Sequence, residues 1–296
     1  MVYHFLKGVN IMIKIFNKSK GITVCVVLCC ALLLSAHRAY AADVYSFGVV
    51  PQFEQRKLHA IWKPIIDELE KRTGLHFNLV TTLQIQDFEK EFVEGKLDFV
   101  YMNPYHILKA AELQGYIPLV RDKVLLRGIV VTRKDSPIKD VSELNGKEVA
   151  FPSPNAIGAC MLVRAELERR YNVKVVPLYV KTHSSVYLHV AKDLTVAGGG
   201  VEKTLQEQDQ AIKDSLRILY TTTSFPPHPV AALPKIPKED REKVRRAFID
   251  MYATKEGKEL LSKVPIKEVI STSIDDYKVM RELRIDEYWD PFWSEK

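Results

Sequence analysis

The chain has 296 residues, 47% hydrophobic and 27% charged, proportions that exclude collagen, low-complexity disorder and a polytopic membrane protein. Its net charge of +6 is uneven: up to Ala41 it carries Lys7, Lys14, Lys18, Lys20 and Arg38 and no acidic residue, and the remainder holds 38 basic against 37 acidic residues. A near-neutral body has no global field to hold a polyanion, which counts against nucleic acid as a partner.

At the N-terminus, Lys14, Lys18 and Lys20 precede an apolar run over residues 22–34, and the small-x-small group Ala39-Tyr40-Ala41 follows. A basic region, a short apolar core and such a site together predict a secretory signal peptide over residues 1–41, cleaved after Ala41. The alternative, a membrane anchor, needs ~20 apolar residues; this run has 13 and is closed by His37 and Arg38. The stretch before Lys14 is long for such a region, so Met12 competes with Met1 as the start. Cys25, Cys29 and Cys30 lie in the apolar run, which leaves Cys160 alone in the exported chain and no internal disulfide. The product is expected to be periplasmic, stabilised by its core.

In the exported part, residues 44–50 are β-rich and stop at Pro51. Leu58, Ile61, Trp62, Ile65, Ile66 and Leu69 then form one apolar face of a helix, with Pro64 either kinking it or sitting in its first turn, and Gly74 ends it. A strand over 76–80, a short helix over 87–94, a strand over 97–101 and a helix from about Tyr105 to Gln114 complete a βαβαβα order. That order predicts a mostly parallel sheet with helices on its faces.

The pattern then repeats. A β-rich run over 124–132, a strand over 148–151, a helix over 159–171, a strand over 174–179, a helix over 184–191, a strand over 194–197, a helix over 201–209 and a strand over 216–221 read as a second α/β unit. Gly198-Gly199-Gly200 lacks dinucleotide spacing and reads as a tight turn with close backbone approach. Phe225-Pro226-Pro227-His228-Pro229 is the plainest linker; a short strand over 230–233 and an amphipathic helix bearing Val244, Ala247, Phe248 and Met251 follow it. The expected organisation is α/β with two lobes, residues 42–132 and 223–296 making the first and 133–222 the second. Hinges are expected near Arg133 and Thr222, with a ligand cleft between the lobes at the carboxyl ends of the strands.

Three segments that follow strands lead into helix starts: Tyr101-Met102-Asn103-Pro104-Tyr105, residues 152–158, and Thr182-His183-Ser184-Ser185-Val186-Tyr187. A helix N-terminus offers unpaired N–H groups and partial positive charge to a small anion. Ser, Thr and Asn are equally the commonest helix caps, so capping alone competes with binding at each. Tyr101, Asn103, Asn155, His183, Ser184, Ser185 and Gln52 are the candidate cleft residues. The chain contains no His-Glu-x-x-His, Cys-x-x-Cys, Gly-x-Ser-x-Gly or Walker-type loop. His183 and His189 are six apart, a poor fit to one metal-binding helix face. Neither catalysis nor a metal or cofactor is expected.

Phe47-Gly48-Val49-Val50-Pro51, the helix from Trp62-Lys63-Pro64 to Thr73-Gly74, residues 95–105 (Gly95-Lys96-Leu97-Asp98-Phe99-Val100-Tyr101-Met102-Asn103-Pro104-Tyr105) and Val141-Ser142-Glu143-Leu144-Asn145-Gly146-Lys147 occur in an order that resembles the phosphate/phosphite/phosphonate substrate-binding proteins of ABC importers. Thr182-His183-Ser184-Ser185-Val186 is similar to their His-Asp-Ser-Val element, and Tyr101 and His183 match family ligand contacts. The resemblance implies a two-lobed periplasmic-binding-protein fold of the second type that closes on a ligand and delivers it to a membrane permease. A small-molecule anion is the expected ligand, and a monomer the expected form. Two departures separate ligand from fold. Where phosphonate-binding members carry Ser-Thr-Ser-Gly, this chain has Asn155-Ala156-Ile157-Gly158, and where they carry an acid for the ligand's amine it has Val196. A periplasmic ligand-sensing receptor for a membrane signalling protein is the alternative, and an exported hydrolase the third reading.

Overall fold

The computed structural model describes residues 44–264 and 266–290; the expected signal peptide and start site lie outside the described residues. Among the described residues, no helix is long and apolar enough to cross a membrane.

Strand β1 (Val44–Val49) leads into helix α1 (Gln55–Thr73), whose predicted apolar face is buried in full. Glu54 caps the helix by accepting from the Arg56 and Lys57 amides, and Gly74 ends it in the left-handed region at φ 69°. Pro64 lies mid-helix, not in the first turn. Its missing N–H leaves the Ala60 carbonyl without the usual i+4 donor. Strand β2 (His76–Thr81), helix α2 (Ile85–Val93), strand β3 (Phe99–Tyr101), helix α3 (Pro104–Gln114) and strand β4 (Ile117–Asp122) follow.

Both β2 and β3 pair parallel to β1, the product of two helical crossovers. The first sheet has the order β11-β4-β10-β3-β1-β2, where β10 (Pro229–Ala232) and β11 (Val269–Ser271) are supplied by the returning chain. Antiparallel pairing joins β10 to both β3 and β4. Phe47, Phe77, Phe99, Trp62 and Tyr101 pack as one aromatic cluster against α1, with Phe47 and Phe99 fully buried. Each large side chain so buried contributes roughly 1.5–3 kcal/mol. The amphipathic helix α8 (Lys238–Ala253) buries Val244, Ala247, Phe248 and Met251 as predicted; α9 (Lys255–Ser262) follows it, and α10 (Val279–Glu282) comes after β11.

The second sheet runs β7-β6-β8-β5-β9, built from β5 (Leu126–Arg133), β6 (Glu148–Phe151), β7 (Val176–Tyr179), β8 (Ala197–Val201) and β9 (Leu216–Phe225). Its helices are α4 (Leu162–Tyr171, continuous with a π-helical turn at Ile157–Met161), α5 (His183–Ala191), α6 (Glu202–Gln206) and α7 (Gln210–Ser215). Two sheets with flanking helices, joined by crossings of the chain, make the expected two-lobed α/β fold.

Several boundaries differ from the sequence reading. Strands β5 and β9 pair with each other over their whole lengths, so the chain crosses between sheets at residues 123–125 and 226–228 rather than at Arg133 and Thr222. The strand expected over 194–197 is instead Ala197–Val201, so the three glycines are a central strand and not a turn. A Cβ on Gly199 would overlap the Ala159 carbonyl and the Phe151 ring, and one on Gly200 would overlap Tyr187. The close approach expected of them therefore holds, within a strand. The helix expected over 201–209 stops at Gln206, and β4, interrupted by Pro118, has no counterpart in the sequence reading.

Candidate functional site

The carboxyl ends of strands from both sheets converge between the lobes, where ligands of open α/β folds bind. Two adjoining cavities of ≈ 20 Å³ each lie there, room on the scale of an ordered water. The first is lined by Val50, Gln52, Asn103, His183 and His228 together with the helix start Ala156-Ile157-Gly158-Ala159. The second is lined by Gln52, Tyr101, Asp122, Lys203, Thr204 and His228. Gln52, Val201 and His228 border both, so the two adjoin as one cleft divided by side chains.

Four of the predicted residues meet here. Gln52 follows β1, and its carbonyl accepts from the His183 amide of the other lobe at 3.3 Å. Its side-chain Nε2 lies 3.1 Å from His228 Nε2. An amide nitrogen can only donate, so that imidazole nitrogen accepts and its proton sits on Nδ1. Tyr101 ends β3, packs against Trp62 and stacks on His228 at 5.3 Å. Asn103 caps α3, its Oδ1 accepting from Tyr105 and His106 amides at 3.0 and 2.7 Å, while its Nδ2 donates to the Asn155 carbonyl at 3.2 Å. It is therefore both a cap and a cleft wall.

His183 opens α5 and is 4% exposed. Burial without a counter-charge pulls its pKa down to about 4, so the ring is neutral at pH 7. His183 Nδ1 lies 3.3 Å from Thr204 Oγ1, a hydroxyl that also meets the Val201 carbonyl at 2.8 Å and the Tyr187 hydroxyl at 2.7 Å. His228 is neutral too: burial above all, with the Lys203 cation nearby, holds its pKa well below the usual range. Lys203 is the cation among the lining residues, and it pairs across the lobes with Asp122, which also accepts from the Val124 and Glu268 amides. Burial lowers the Lys203 pKa.

The other three predicted residues line neither cavity. Asn155 is buried, with Nδ2 donating to Glu89 Oε2 at 3.0 Å and to the Asp290 carbonyl at 2.9 Å, and Oδ1 accepting from the Asp290 amide at 2.8 Å. Its amide is spent on the protein. Ser185 shares the capping of α5, its hydroxyl 2.9 Å from that of Thr182, and Ser184 sits beside it in the first turn. Sequence reasoning missed His228, Lys203 and Asp122. The first sits in a proline-rich linker and the others resemble surface charges, with no local signal to mark them. Among the described residues, no cluster of His, Cys, Asp and Glu is arranged to hold a metal. Cys160 is buried, its thiol pushed up to about 12 by that burial, which makes it inert.

A family model described as ABC transporter, phosphonate, periplasmic substrate-binding protein matches residues 47–277. The chain belongs to that family. Its sequence is 20% identical over 251 residues to the phosphonates-binding periplasmic protein of Escherichia coli, covering 79% of this chain and 73% of that one. The structure is similar to a binding-protein component of an ABC phosphonate transporter from Pseudomonas aeruginosa, with a TM-score of 0.76 at 15% identity, covering 83% and 88% of the two chains. A protein from Prochlorococcus marinus solved in complex with methylphosphonate gives a TM-score of 0.75 at 14% identity, covering 84% of this chain and 100% of that one. At these identities the neighbours establish the shared two-lobed fold, and family membership rests on the family model. Substrate-binding proteins of this family serve transport rather than catalysis, and they are periplasmic.

Proposed function

We propose that this protein captures a small phosphate-, phosphite- or phosphonate-like anion between its lobes and hands it to the membrane permease of an ABC importer, without altering it chemically. The observation that carries this reading is the pair of adjoining cavities, bounded from both lobes and sharing Gln52, Val201 and His228. The helix start at Ala156–Ala159 brings backbone N–H groups to that cleft. Such groups favour negative charge even where side-chain hydroxyls are absent.

The cleft's charge also narrows the ligand. Two neutral imidazoles and an ion pair add no net positive charge, so the site favours a singly charged acid over a dianion. A ligand that keeps one P–O–H proton has a donor to offer a neutral imidazole, which always carries one acceptor nitrogen. Tyr101, Asn103, His183 and Gln52 are the direct contacts in this reading; Ser184 and Ser185 support the start of α5. Export by the N-terminal leader and a monomeric working form belong to the same proposal.

The test is thermal-shift screening of the exported chain with phosphate, phosphite, methylphosphonate and uncharged solutes of similar size. A solute bound to the folded state raises the midpoint with its concentration. A phosphorus oxyanion is expected to do so, and His183→Ala is expected to abolish the shift. A response to neutral solutes alone removes the anion from the proposal.

A further inference from the structure

The chain passes between the lobes a third time, beyond the two crossings that link the sheets. Helix α10 belongs to the first lobe, where Arg281 pairs with Glu112 of α3. Residues 283–290 then run onto α4 of the second. Arg169 of α4 donates through Nη1 to the Leu283 carbonyl at 2.8 Å and through Nη2 to the Arg284 carbonyl and the Glu287 carboxylate. The Tyr288 hydroxyl donates to Glu168 at 2.8 Å, and the Arg164 guanidinium lies 5.1 Å from its ring centre. Asn155, in the loop before α4, grips the Asp290 backbone through both amide atoms.

The same segment also rests on the first lobe. Trp289 packs on Tyr105 and His106, at 5.1 and 5.9 Å between ring centres, and the Tyr105 hydroxyl donates to Asp286. Asn155 touches that lobe as well, through Glu89, whose other oxygen is 2.9 Å from His106 Nε2 in a fully buried pair. Opening the cleft must separate one of these two sets. The contacts to the second lobe are several and charge-assisted, the stronger kind of hydrogen bond. The contacts to the first lobe are fewer: the tilted and edge-on ring contacts of Trp289, the Tyr105–Asp286 bond and the Asn155–Glu89 bond.

We propose that residues 283–290 are a strap that holds the lobes closed, and that Asn155 is a positioning residue that fastens it. The strap travels with the second lobe, and opening breaks the Trp289 ring contacts, the Tyr105–Asp286 bond and the Glu89–Asn155 bond. The inference rests on the two-lobed capture reading, yet its test needs no ligand.

The experiment compares small-angle scattering and amide exchange of the ligand-free full-length exported chain with those of Trp289→Ala, Trp289→Phe and Arg169→Ala, the last at a half-exposed side chain. Trp289→Ala and Arg169→Ala are expected to shift scattering to a larger radius of gyration and to speed exchange at residues 157–161 about tenfold. Trp289→Phe, which keeps a ring, is expected to restore the wild-type profile. Unchanged scattering in both alanine variants overturns the strap, as does a fall in melting temperature without a change in shape, which makes the segment a plain brace. A ligand screen that fails leaves the scattering result standing, and the converse holds too.

Discussion

The His183 backbone N–H donates to the Gln52 carbonyl at 3.3 Å, joining the first residue of a second-lobe helix to the loop after the first strand of the other lobe. The cleft is closed at the spot where the His183 imidazole faces its interior. That position makes the ring sensitive to any step that opens the site to water.

Acid is expected to destabilise the protein through this ring. Its folded pKa, about 4, lies below the ordinary 6.5, so the unfolded chain binds more protons between those values. Stability is therefore complete above pH 6.5 and declines as pH falls toward 4, by up to about 3 kcal/mol from this group. His228 acts in the same direction. Urea denaturation of wild type and His183→Asn across that range checks it, and the variant's curve is expected to be flatter.

Breaking the Asp122–Lys203 pair from one side costs more than removing both charges. Asp122→Asn leaves a mostly buried ammonium without its counter-charge, an expected loss of about 3 kcal/mol. The double variant Asp122→Asn with Lys203→Met is expected to recover a large part of it. Chemical denaturation of the three proteins measures the difference.

Gly199→Ala places a methyl group against the Ala159 carbonyl and Phe151, a backbone contact that cannot swing away. Overpacking of this kind costs about 1–3 kcal/mol. The displaced carbonyl belongs to the helix start that walls the cleft, so the ligand-induced thermal shift is expected to shrink as well. Gly146→Ala serves as the control: it meets no atom and pays for its positive φ alone.

Ellman's reagent at pH 8 is expected to leave Cys160 unmodified in the folded protein and to titrate one thiol per chain after denaturation, given a signal peptide already removed. Burial and the raised pKa both withhold the thiolate. Rapid reaction of the folded chain contradicts this.

Period and punctuation made much of this fold legible. The apolar face of α1, its Gly74 terminus and the Asn103-Pro104 opening of α3 follow from local rules that tertiary contacts did not override. Local rules could not tell how far β5 and β9 extend, because a β-rich run has the same appearance whether its tail belongs to one sheet or the other. The glycines of β8 carry no side-chain pattern at all, and only the neighbours pressing on them make a strand of that stretch. In the site, residues at helix starts were identifiable by type. The direction each side chain takes was not: Asn103 and His183 turn inward, while Asn155 turns to Glu89 and Asp290. His228, Lys203 and Asp122 come together only through sheet order.

The bare glycine strand has an evolutionary consequence. Side chains cannot be added along it without pushing on Ala159, Phe151 or Tyr187, so the strand behind the Ala156–Ala159 helix start is closed to innovation. A change of ligand must therefore be written into the side chains that do line the cavities, Gln52 and His228 among them.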